Sequence, residues 1–214
     1  MPPKPKYTKD QLIDAAVDII RKDGIKAITA QSLAAILHVT PPSVFSHFDT
    51  VEDIREAAIE RSREIYDSYV KKGLALNPPF KGFAMQFVQF AVDEPMLFQL
   101  LFMSKKNDPR FEEYSLLEGH TEFILKAIKD TFPLTDEECQ ELYIYTAIFT
   151  HGIASMTATG ACTFSQNELA ELLGKSCRGF LMAIHAPEDA HTDMIPKNGG
   201  RVDRVDAAKY LRRK

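Results

Sequence analysis

The chain has 214 residues, of which 45% are hydrophobic and 26% charged, and its formal net charge is −4. This is the composition of an ordinary globular protein, long enough to bury a substantial core, and it suits one small module beside one larger helical module. No apolar run approaches the roughly 20 residues that span a bilayer, and the N-terminal MPPKPKYTKD has no apolar secretion core, so no membrane is implicated and a cytoplasmic location is the expectation.

Residues 1–6 contain Lys4 and Lys6, with Lys9 following and no acidic residue before Asp10. A basic arm and a solvated, disordered tail both fit this segment. Thr8 with Gln11 three residues on is a capping-box pattern, and Leu12, Ile13, Ala16, Ile19 and Ile20 recur at helical spacing. Together they predict a helix over residues 9–22 that stops at Gly24, and Ile28 continues its core. Leu33, Ala34 and Leu37 mark the buried face of a short helix over 30–37, with Thr29 as N-cap. Thr40-Pro41-Pro42 then leads the chain out of the helical region and restarts it with proline in the first turn. The resulting helix, over 41–47, is barely two turns long and could not persist alone in water. It would turn Ser43, Ser46 and His47 outward, and Val44 and Phe48 inward.

Two short helices about a tight turn have the layout of a helix-turn-helix, whose second helix enters the major groove of DNA. The stretch resembles the DNA-binding motif of the TetR family of transcriptional regulators. Phe45-Ser46-His47-Phe48 matches the aromatic-x-His-Phe run that ends the family's recognition helix, and the likeness extends from about Tyr7 to Arg61. The resemblance implies an all-α fold. A basic N-terminal arm (1–6) would precede a three-helix DNA-binding domain (7–62), followed by a larger helical ligand-binding and dimerisation domain (63–186). Lys6, Thr29, Thr40, Pro41 and His47 would position the protein on phosphates, while Pro42, Ser43, Phe45 and Ser46 would approach base edges. Phe45 has a second possible station, against a sugar or a thymine methyl. Two positions depart from the family pattern. His38 stands where a turn glycine is usual, and Val51-Glu52-Asp53 stand where relatives often place a phosphate-binding lysine. These departures leave two expectations, a modest DNA affinity or phosphate contacts made mainly by backbone N–H groups, Lys6 and His47.

A helix is predicted from just after Thr50, with Glu52 and Asp53 at the positive end of its dipole, running towards Leu76 until Asn77-Pro78-Pro79 breaks it. In the family this helix joins the two modules, so a ligand-driven tilt would change the spacing of the recognition helices. From Phe80 to Met103 the sequence turns rich in phenylalanine and methionine, and Asp93-Glu94-Pro95 divides it into a helix over 81–92 and another starting near 95. Such spacing reads first as core. Flexible thioethers and flat rings also line adaptable apolar pockets, which makes Phe87, Phe90, Phe98 and Phe102, with Phe149 and His151 further on, the candidates for contact with an effector. Residues 105–113 read as a polar loop and 116–132 as a helix ended by Pro133.

Thr135 with Glu138, and Ser165 with Glu168, open helices over 136–159 and 166–186. The short connection makes them an antiparallel pair. Ala147, Gly152, Ala154, Ser155 and Ala158 would let another helix approach closely, and in TetR relatives the last two long helices pair with those of a second copy. EPMLFQLLF and Phe149-Thr150-His151-Gly152-Ile153-Ala154-Ser155 also resemble a subset with a Trp-x-x-His-Gly-like signature, although the chain has no tryptophan. Ala147 and Ser155 flank His151 at helical spacing, so a structural or ligand-bonding histidine is expected there and not a metal ligand. Cys139, Cys162 and Cys177 are odd in number and widely spaced, which reads as reduced, mostly buried thiols. Residues 187–214 form a polar tail expected to be disordered.

The reading is a homodimeric, ligand-responsive DNA-binding regulator, a repressor released from a palindromic operator when a small apolar or amphipathic effector binds. It needs no cofactor and no metal. A second reading keeps the fold but gives the recognition helix a protein partner, motivated by the acidic balance. An enzyme would need a nucleophile–base pair, a phosphate-cradling loop or a metal-spaced cluster, and no such constellation appears.

Overall fold

Five side chains decide where helices begin. Thr8, Thr29, Thr50, Thr135 and Ser165 each accept a hydrogen bond from the backbone N–H three residues on, and in each case that residue's side chain returns a bond to the cap. Such reciprocal caps satisfy donors that a helix start would otherwise leave unpaired. The computed structural model describes residues 7–103 and 120–185. The elements are α1 (Lys9–Asp23), α2 (Ala30–Leu37), a 3-10 segment (Pro41–Ser46), α3 (Val51–Leu74), α4 (Pro79–Asp93), α5 (Pro95–Phe102), α6 (Thr121–Thr131), α7 (Asp136–Ala158) and α8 (Gln166–Ile184). Every one is helical, so the fold is all-α. Lys6 and the basic arm, the loop over 105–113, the start of the helix over 116–132 and the tail over 187–214 lie outside the described residues.

Several helix ends differ from the sequence reading by one or two residues, and three differences each have a local reason. The segment predicted as a helix over 41–47 is 3-10 in type and ends at Ser46, because Phe45 leaves the helical region (φ −82°, ψ 17°) and His47 follows at φ −124°. Helix α4 begins at Pro79 and not at residue 81, since proline suits a first helical position where no N–H is needed. Ile25–Ala27 adds a 3-10 turn between α1 and α2. His38 caps α2 in the left-handed region (φ 53°, ψ 47°), the conformation that glycine would adopt without strain.

One hydrophobic cluster runs from Tyr7 and Leu12 through Ile54 and Phe90 to Leu173, and so binds the N-terminal helices to the later ones. A second gathers Phe80, Ile124, Ile128, Leu142 and Tyr143, with Leu74 and Phe83 packing against both. Helices α3 and α4 meet backbone to backbone at a glycine pair. A Cβ at Gly73 would lie 2.8 Å from the carbonyl oxygen of Gly82, and a Cβ at Gly82 would overlap the carbonyl of Gly73. Arg21 of α1 holds Glu94, between α4 and α5, through two bonds of 2.9 and 2.7 Å. Arg61 of α3 reaches Asp10 and Asp14 of α1 at 2.9 and 2.6 Å. The N-terminal helices are thus fastened at two points to the elements that follow.

Helices α7 and α8 run antiparallel, as their aromatic and ionic contacts require: Tyr145 meets Phe180 at 5.6 Å and Glu138 lies 3.7 Å from His185. Of the small residues on α7, Ala154 and Ala158 face the core, while Gly152 is exposed with open space around it. Among the described residues no helix is long and apolar enough to cross a membrane.

Candidate nucleic-acid interface and cavity

Val44 is fully buried and is the anchor of the 3-10 segment, while Thr40, Pro41, Pro42, Ser43, Phe45 and Ser46 are exposed around it. Burying one valine side chain contributes about 1.5–3 kcal/mol, enough to seat a six-residue element that has little helical stability of its own. Phe45 keeps 39% of its surface exposed, which is unusual for so large an apolar ring in a well-packed module.

The segment is held from outside by Tyr7, whose role sequence spacing did not reveal. Its hydroxyl donates to the carbonyl of Ser43 and lies 3.0 Å from the Ser46 hydroxyl. Its own carbonyl lies 3.0 Å from Nε2 of His47, and the two rings meet edge-on at 5.5 Å. His47 is therefore not the outward-facing side chain predicted from helical spacing. Because the segment is 3-10 and breaks at Phe45, the histidine swings back onto Tyr7 and becomes half-buried. Ser43 and Thr40 share a bond of 2.8 Å. Thr29 is exposed, but its hydroxyl is engaged in capping α2, at 3.1 Å from the Ser32 N–H.

Cationic side chains near the motif are partly committed. Lys9 sits 4.8 Å above the ring of Phe48, which packs partly buried against the core. Arg55 is tied to Glu52 at 3.1 Å and to the carbonyl of Ile28 at 2.8 Å. The acidic start of α3, which departs from the family pattern, has a structural use, for Asp53 returns the capping bond to the Thr50 N–H at 2.8 Å.

The later helices enclose a cavity in two parts. An inner chamber of about 40 Å³ is walled by Tyr66, Phe83, Phe87, Phe102 and Tyr143, among others. An outer one of about 240 Å³ opens between α4, α7 and α8, and the two share Phe80, Ala84, Thr146 and Thr150 as walls. Of the six effector candidates read from sequence, Phe87 and Phe102 line the inner chamber. Phe90 and Phe98 are wholly buried core side chains. Phe149 packs 6.1 Å from Phe180, away from the chamber walls, and His151 stands beside Phe87 and Phe98 at 6.3 and 5.8 Å. Burial lowers the His151 pKa from its usual 6.5, and its buried Nδ1 has no hydrogen-bond partner among the described residues. Lys81 and Arg178 belong to the outer chamber. Nothing in an apolar periodicity signals them, because both are exposed charges on helix surfaces.

Cys139 is buried and Cys162 and Cys177 are half-buried, all three free. Burial pushes the thiols of Cys139 and Cys177 above their ordinary range, opposite to what a reactive thiolate requires.

No protein-family model matches the chain. The uncharacterized HTH-type transcriptional regulator YobS of Bacillus subtilis is 25% identical over 118 residues, covering 52% of this chain and 60% of that protein. An HTH-type transcriptional regulator of Saccharopolyspora erythraea is 30% identical over 57 residues, covering 27% of this chain and 24% of its own length. The chain thus spans less than two thirds of either relative's length. Among solved structures, a TetR-like transcriptional regulator from Rhodococcus sp. RHA1 superposes with a TM-score of 0.63 at 15% identity, over 85% of this chain and 98% of that one. The fatty acid degradation regulator FadR from Bacillus halodurans gives 0.56 at 18% identity, over 87% and 100%. These likenesses do not reach the finer subset suggested by the Phe149–Ser155 run.

Proposed function

The chain is TetR-like in fold, and from that premise we propose that it is a homodimeric transcriptional regulator that binds a palindromic operator and is released by a small apolar or amphipathic effector. The observation that carries this reading is the exposed 3-10 segment seated on a single buried valine and clamped by Tyr7. An element so short, so exposed and so firmly held is built to present its surface to a partner. In this reading Pro42, Ser43, Phe45 and Ser46 approach base edges. Thr29, Thr40, Pro41 and the arm bearing Lys6 meet phosphates, and His47 acts through Tyr7 to position the segment.

The division of labour follows the helices. Residues 7–62 read DNA and 63–186 hold the effector and the second copy. Two exposed stripes support the dimer: Tyr145, Ile148, Gly152 and Met156 on α7, and Leu172, Gly179 and Met182 on α8. Ile148 is 61% and Met182 75% exposed, and neither glycine has anything within 4 Å of the place a Cβ would take, so a facing helix finds room along both stripes. Two-fold pairing would place two recognition segments on two half-sites, which calls for an operator with matching symmetry. Acting on DNA, such a regulator works in the cytoplasm.

A gel shift with the duplex flanking the protein's own gene tests the reading. Retardation at low salt, lost on Ser43→Asp, is the expected outcome. A protein partner captured through Ser43 and Phe45, with no retardation of DNA, would favour the adaptor reading, to which the acidic first turn of α3 lends its support.

A further inference from the structure

We propose that the effector is an amphipathic anion, an alkyl carboxylate whose head lies by Lys81 and Arg178 and whose tail runs through the outer chamber towards Phe80 and Ala84. This rests on the reading of the chain as an effector-responsive regulator and narrows the class of molecule that the same cavity accepts.

The argument begins with charge. The chain has 30 acidic and 26 Lys or Arg residues, yet the described lining of the outer chamber contains Lys81 and Arg178 and no carboxylate. Three acids on the neighbouring helices are matched by lysines: Asp130 by Lys126, Asp136 by Lys129, and Glu171 by Lys175. Neither Lys81 nor Arg178 makes an ion pair with a described residue. Lys81 projects from α4 and Arg178 from α8, so the two charges reach the chamber from different walls. The first turn of α4 adds to this bias, for it carries no acidic residue and no side-chain cap.

Polarity then changes with depth. Past the shared walls the inner chamber is bounded mainly by aromatic rings, where a second charge would be left unsolvated. Besides the hydroxyls of Tyr66 and Tyr143, two threonines break the apolar wall. Thr146 spends its hydroxyl on the Leu142 carbonyl at 2.6 Å, whereas the Thr150 hydroxyl has no hydrogen-bond partner among the described residues. A carboxylate suits the mouth because it stays partly hydrated there while accepting charge-assisted bonds, and the guanidinium fork of Arg178 matches its two oxygens. A cation at the same place would meet two like charges.

Binding to the full-length protein, followed calorimetrically without DNA, tests this with decanoate, decanol and decyltrimethylammonium as probes below their micelle concentrations. Decanoate should bind most tightly, and the octanoate–decanoate–dodecanoate series should gain about fourfold per added methylene until the chamber is full. Lys81→Met and Arg178→Met, both at exposed positions, should each weaken decanoate about tenfold and leave decanol unchanged. Circular dichroism confirms that the variants fold. Equal affinity for decanol or the ammonium probe, indifference of decanoate to the double variant, or no binding of decanoate at all would overturn the proposal. Because DNA is absent from the assay, decanoate binding by a protein that shifts no duplex would sink the regulator reading and leave this one standing.

Discussion

Tyr7 shows how much one side chain contributes to a marginal element. The 3-10 segment has a buried valine beneath it and few internal bonds, so the tyrosine hydroxyl, bonded to Ser43 and near Ser46, and the His47 ring against Tyr7 supply the outside constraint. Tyr7→Phe keeps the ring and removes the hydroxyl. The expected cost is about 1 kcal/mol of stability, a drop of roughly 2–4 °C in Tm for a chain of this size, read by thermal denaturation. DNA affinity should fall further than that loss explains, since the segment's backbone would no longer be pinned. The residue-scale facts were unevenly legible in sequence. Val44 as the inward anchor followed from its spacing, whereas the return of His47 did not. Helical periodicity assumes a continuous helix, and this one breaks at Phe45. The same limit applied to the phenylalanines. Residues 87, 90, 98 and 102 share one apolar pattern, and only the packing of α3, α5 and α7 around α4 separates the chamber walls, Phe87 and Phe102, from the core, Phe90 and Phe98.

At the scale of elements, local chemistry was the readable part. A capping box spans four residues and depends on nothing distant, which is why the starts of α1, α7 and α8 stand where Thr8, Thr135 and Ser165 predicted them. The contact between α3 and α4 is the opposite case. Gly73 and Gly82 look like ordinary tolerated glycines in sequence, and their purpose appears only when the two backbones touch. Gly82→Ala would drive a methyl group into the carbonyl of Gly73 and force the helices apart. A loss of about 1–3 kcal/mol, the cost typical of an overpacked core, is expected in urea denaturation. Because α3 joins the N-terminal helices to the cavity and α4 walls that cavity, the variant should also weaken any response of DNA binding to an effector. An alanine tolerated without change in the urea midpoint would show that the helices slide freely at this crossing.

For the whole molecule, the account needs two copies. The stripe along α7 and α8 leaves large apolar side chains in water, and a second copy of the same face would cover them with two-fold symmetry. Ile148→Asp places a charge in the middle of that stripe, where it stays solvated in a single copy and would be buried in the dimer. Gel filtration with light scattering should give a dimer for the native chain and a folded monomer for the variant, and an unchanged mass would remove the stripe from the interface. The central claim is that the exposed segment Pro41–Ser46 reads duplex DNA, and the salt dependence of binding tests it most directly. Fluorescence anisotropy on a labelled duplex from beside the gene should give tight binding at low salt. Its logarithm should fall linearly with the logarithm of salt, with a slope of about −0.9 per phosphate contacted, as counterion release requires. Absence of binding at low salt, or binding indifferent both to salt and to Ser43→Asp, would contradict it.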